Sequence, residues 1–125
     1  MEELITLSGL GHTWILDLDG TVVKHNGYRT DGYDTFLPGA QEFLNSIPKE
    51  DLVIFLTSRT KEQKERTERF LQKHRVRYDH VIYDAPFGER ILINDRKPSG
   101  LRTAIACNEV RDVFVQKRIV IDERR

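Results

Sequence analysis

Two aspartates separated by one residue, Asp17 and Asp19, stand directly behind the apolar run Trp14-Ile15-Leu16 and directly before Gly20-Thr21. In an extended chain alternate side chains share a face, so the two carboxyls lie about 7 Å apart along one side. One phosphoryl group and one divalent cation can touch both. An aspartate is a weak nucleophile that becomes effective against phosphorus when a cation neutralises and aligns the incoming phosphate. Mg2+ suits a set of oxygen ligands with some water retained. The pattern supports in-line transfer of a phosphoryl group to Asp17. Asp19 can then protonate the leaving alcohol and later deprotonate the water that hydrolyses the aspartyl-phosphate.

Two further groups have the same placement, polar residues just after an apolar run. Leu52-Val53-Ile54-Phe55-Leu56 ends at Thr57-Ser58-Arg59, and Arg90-Ile91-Leu92-Ile93 ends at Asn94-Asp95. Thr57, with neighbouring backbone N–H groups, can hold phosphate oxygens. Asp95 can complete the metal set with Asp17 and Asp19. Gly20, Thr21, Ser58 and Arg59 are candidate substrate contacts, and His25 and Arg29 join them from the following loop.

The elements that must position these residues are read from pattern. Residues 4–7 form a short edge strand and 13–18 the first main strand. Residues 20–36 are polar and turn-rich, with Asn26-Gly27 and Asp31-Gly32 suited to tight turns of positive φ, which points to a hairpin or flap rather than a helix. Pro38-Gly39 opens a helix whose Ala40, Phe43, Leu44 and Ile47 share one face, and Pro48 ends it. Residues 52–56 read as a strand covered on both faces. Thr60 to Gln63 matches a capping box ahead of a helix to about residue 75, with Phe70, Leu71 and Val76 as its thin apolar stripe. Its many cations, interleaved with glutamates, read as a solvated face. Strands follow at 79–84 and 90–93, then a helix over about 99–109 with Cys107 as a small core residue. A final strand or pair lies within 113–121. Alternating strands and helices predict an α/β fold with a mostly parallel sheet and helices on both faces. Ligands of such sheets sit beyond the carboxyl ends of the strands, where all three polar groups fall.

A length of 125 residues predicts one domain over 1–125, with a flap at about 20–36. Twenty basic and twenty acidic residues cancel, which argues against a nucleic-acid or membrane footprint. The single cysteine excludes an internal disulfide. With no long apolar run and no basic-then-apolar leader, a cytoplasmic location is expected.

Asp17-Leu18-Asp19-Gly20-Thr21-Val22 resembles the first motif of the haloacid dehalogenase superfamily, most of whose members are phosphatases. The resemblance, which extends to about residue 105, implies a three-layer α/β/α Rossmann-like fold. It also implies Asp17 as nucleophile, Asp19 as general acid/base with its carbonyl on Mg2+, Thr57 as the second motif and Asp95 as a metal ligand. The family's lysine has no counterpart between Lys73 and Lys97. Lys97 is the first choice for that charge, ahead of Arg90 and Lys73. Asn94-Asp95 also replaces the more frequent acid pair. The flap leaves no room for a large cap domain, and the string from Arg90 to Gly100 is similar to small members associated with bacterial capsule and surface-polysaccharide synthesis. The capless form resembles members acting on bulky or macromolecular substrates, or on sugar phosphates with a homo-oligomer partner closing the site, and the string favours a small phosphate ester, a phosphorylated sugar, as substrate. A non-hydrolytic regulatory pseudoenzyme and a receiver-like phosphoacceptor domain are the alternatives.

Overall fold

The computed structural model describes residues 2–125. Its strands are β1 (Glu2–Ser8), β2 (Thr13–Leu16), β3 (Leu52–Leu56), β4 (His80–Ile82) and β5 (Gln116–Asp122), and its helices α1 (Gly27–Thr30), α2 (Ala40–Ser46) and α3 (Lys64–Lys73). β2, β3 and β4 form one parallel sheet in that order, with Trp14 opposite Val53 and Ile54 opposite His80. β1 and β5 form a second parallel pair, with Ile5 opposite Ile119. The architecture is thus α/β, with its parallel strands divided between two small sheets.

The core gathers on one face of the first sheet. Val53 and Phe55 of β3 are buried, with Phe43, Leu44 and Ile47 of the α2 segment, Leu71 of α3 and Val76 beyond it. The helical spacing read at residues 40–47 buries the residues it singled out. β3 is less enclosed than a strand with both faces covered, because Leu52 is exposed and Ile54 and Leu56 are only half-buried. Ahead of α3 the capping box does not close: the Thr60 side chain makes no cap hydrogen bond, and residues 61–63 wind as a 3-10 turn. α3 ends at Lys73, where Arg75 turns to a φ of 58°.

The loop at 20–36 is rooted in the core rather than merely draped over it. Val22 and Val23 are buried, and a bridge joins Val23 to Phe36. A single helical turn, α1, interrupts what the turn residues predicted as a hairpin. Asn26 and Gly32 do take positive φ, 53° and 82°.

Two expected elements are absent. Neither the strand at 90–93 nor the helix at 99–109 forms, and no regular helix or strand lies between β4 and β5. Ile91 and Ile93 are 83% and 90% exposed. An apolar run becomes a strand by pairing its N–H and C=O groups, and β4 remains the edge of its sheet. Local bonds hold the segment instead: Asn94 Nδ2 donates to Thr103 Oγ1 at 3.0 Å, and a turn closes from Gly100 N to Lys97 O at 2.8 Å. Cys107, expected in the core, is exposed.

Candidate functional site

β2 stops at Leu16, and the chain then coils tightly on itself. The carbonyl of Leu18 accepts from the N–H groups of Thr21, Val22 and Val23 at 3.1, 3.0 and 3.2 Å. Leu18 is buried, while Asp17 and Asp19 on either side of it are half-buried. Gly20 completes the coil at a φ of 80°, a conformation open to glycine at little cost, and a side chain there would meet Arg111 at 3.1 Å.

Asp17 has two partners. The Thr21 hydroxyl donates to Oδ2 at 3.0 Å, and Arg90 forms an ion pair with Oδ1 at 3.1 Å. Its side chain is 33% exposed. An oriented carboxylate with a cation beside it and open solvent in front is the accessible part of this site.

Asp19 has a different environment. Arg59 grips it with two parallel bonds, Nε to Oδ2 and Nη2 to Oδ1, both 2.9 Å. The same guanidinium donates to Asp34 at 3.1 and 2.7 Å and to the Thr67 hydroxyl at 3.0 Å. The Tyr28 ring lies 4.2 Å from its carbon, a cation–π contact. Burial pushes the Arg59 pKa down, but the two carboxylates outweigh it and hold the guanidinium more firmly protonated than usual.

The other expected site residues divide into two groups. Thr57 is buried at the end of β3, its hydroxyl accepting from the Arg59 N–H at 3.1 Å, and the Ser58 hydroxyl donates to the Pro86 carbonyl at 3.4 Å. His25 lies beside Gly20, its N–H bonded to Asp112 at 2.7 Å. Arg29 turns to the Tyr28 hydroxyl at 3.1 Å. Asp95 and Lys97 lie instead on the exposed segment without regular structure. Among the described residues no three His, Cys, Asp or Glu side chains gather where they could hold a metal ion, so Asp17, Asp19 and Asp95 do not form the expected trio. What remains is Asp17, and Mg2+ can bind through one or two carboxylates while keeping several waters. The cation beside Asp17 is Arg90 rather than Lys97.

Asp34 and Thr67 in the cage around Arg59, and Asp112 over the Gly20 turn, were not found as site-builders from the sequence, and Tyr28, a candidate leaving-group contact, instead packs on Arg59. Asp112 accepts from His25, and its own N–H donates to the Gly20 carbonyl at 2.8 Å. No local spacing signals either contact, since Asp34 is 25 residues from Arg59 and Asp112 is 87 from His25.

No protein-family model and no curated protein matches the chain. Two solved structures contain similar chains. One, titled "Structure of Pnkp1/Rnl/Hen1 complex", aligns at 29% identity with a TM-score of 0.50, covering 65% of this chain and 30% of that one. The other, titled "Structure of the Pnkp1/Rnl/Hen1 RNA repair complex", aligns at 30% identity and a TM-score of 0.50, covering 64% and 27%. This chain therefore matches less than a third of either longer chain.

Proposed function

We propose that the protein is a phosphomonoesterase of the haloacid dehalogenase type acting through Asp17. The observation that carries this reading is the half-exposed Asp17 carboxylate at the end of a parallel strand, steadied by Thr21 and faced by Arg90, with Asp19 one turn of alternation away. An Asp17 oxygen attacks phosphorus as the bond from phosphorus to the leaving oxygen breaks, and Asp19 gives that oxygen its proton. Water then attacks the aspartyl-phosphate, its proton passes to Asp19, and the bond from the Asp17 oxygen to phosphorus breaks. Arg90 offsets charge on the phosphoryl group. Bound Mg2+, held by Asp17, would add neutralisation of the phosphate.

A phosphorylated sugar is the substrate class that the sequence resemblance implies. A second reading, a phosphate at an RNA end, is favoured by the two similar chains, both from Pnkp1/Rnl/Hen1 complexes, one of them titled an RNA repair complex. With Mg2+ present the protein should hydrolyse p-nitrophenyl phosphate, and Asp17→Asn should abolish turnover. Full activity in that variant would remove Asp17 from the nucleophile's role. Phosphate binding without turnover by the unaltered protein would favour the pseudoenzyme. A panel of sugar phosphates and 3′- and 5′-phosphorylated oligoribonucleotides separates the two substrate readings.

A further inference from the structure

Arg59 is the most completely engaged side chain near the site. A guanidinium carries five N–H donors, and Arg59 makes five hydrogen bonds: two to Asp19, two to Asp34 and one to Thr67. None is left to clamp a phosphate, which is the role that its place just after β3 suggests. Its side chain and that of Asp34 are each 2% exposed, while Asp19 is 17% exposed. Of the three charged groups, only Asp19 reaches solvent appreciably. Two parallel bonds hold the whole plane of a carboxyl rather than one oxygen, and each oxygen keeps lone-pair capacity for a proton.

The remaining contacts belong to different parts of the fold. Asp34 comes from the loop after β2, Tyr28 from α1 within that loop, and Thr67 from α3. From this we infer that Arg59 is a positioning residue: backed by Asp34, Thr67 and the Tyr28 ring, it locks the Asp19 carboxyl in one orientation for proton transfer at the leaving oxygen. The inference rests on the phosphatase reading and assigns Arg59 away from substrate binding. Lysine at 59 keeps the charge but cannot form the parallel pair of bonds.

The experiment compares leaving groups. p-Nitrophenolate departs without a proton, whereas an alkoxide such as that of glycerol phosphate needs one. Arg59→Lys should lower kcat for glycerol phosphate on the order of 100-fold, the lower range for general acid catalysis, with KM little changed. The rapid release of the first equivalent of p-nitrophenol should fall far less. Asp19→Asn should show the same selectivity. Asp34→Asn, which leaves Arg59 in place, should show it in milder form and serves as the second variant if Arg59→Lys does not fold. Equal losses for both leaving groups, or a rise in KM alone, would overturn the positioning role while leaving the phosphatase standing. Failure of the unaltered protein to turn over either ester would overturn both.

Discussion

Single side chains set the energetics of the site unevenly. Removing one partner of a buried ion pair costs about 3–5 kcal/mol, because the other charge is left without compensation. Arg59→Met should therefore destabilise the protein on that scale by leaving the buried Asp34 carboxylate without its partner, measured as a fall in the urea midpoint. The exposed pair of Arg69 with Glu65 on α3 is worth far less, about 0.3–0.5 kcal/mol, and Arg69→Ala should scarcely move that midpoint. The place of Asp17 just beyond β2 was legible because an apolar strand run is a local signal. The role of Arg59 was not, because Asp19 lies 40 residues away from it and only folding makes them neighbours.

At the scale of elements, β2 and β3 are pinned at their starts by Asp51. It accepts from Trp14 Nε1 at 2.9 Å and from the His12 N–H at 3.1 Å, with the His12 ring also beside it. Burial pushes its pKa up, yet the Trp14 and His12 contacts prevail and hold it below the usual 3.8. A carboxyl depressed by folding contributes stability at pH values above its unfolded pKa, and that stability is lost as pH falls through the lower, folded pKa. Acid titration of the unaltered protein should therefore show a loss below about pH 4, the upper edge set by the ordinary carboxyl. Asp51→Asn should be weaker at neutral pH by about 1–3 kcal/mol and should lack this part of the acid limb. An unchanged acid limb would remove Asp51 as the clasp.

The helix at 40–46 and the strand at 52–56 were legible because their apolar spacing matches what the core buries. Residues 90–93 carry an equally apolar pattern and form no strand. The difference is the absence of a paired neighbour, and hydrogen exchange tests it directly. Amides 91–93 should exchange with little protection while those of β3 exchange slowly. Strong protection at 91–93 would mean that this run pairs in solution as its sequence suggests.

At the scale of the whole molecule, the chain has no net charge, so attraction of an anionic ligand falls to the local Arg90 and to any bound cation. With no three-ligand metal cluster among the described residues, Mg2+ alone should bind weakly. Ligand binding raises stability by an amount set by concentration relative to Kd. Millimolar Mg2+ should thus shift Tm little by itself and clearly more when a phosphate mimic such as tungstate is also present. A large shift from Mg2+ alone would indicate a fuller ligand set, with Asp95 the first candidate to join it. The β1–β5 pair meets the rest of the fold through α2, where Phe43 packs on Phe114 just ahead of β5 with centroids 5.5 Å apart, and Lys117 of β5 pairs with Glu3 of β1 and with Glu109.

The sequence by itself determined the local things: which runs alternate, where turns must take positive φ, and that Asp17 follows directly on β2. Those depend on neighbours a few residues apart, whose geometry the backbone dictates. Tertiary structure alone decided that Arg59 closes on Asp19 and Asp34, that Arg90 and not Lys97 faces Asp17, and that Asp95 stays on an exposed segment. Each of those outcomes depends on which surfaces pack and which strands find a partner, and no spacing along the chain encodes that.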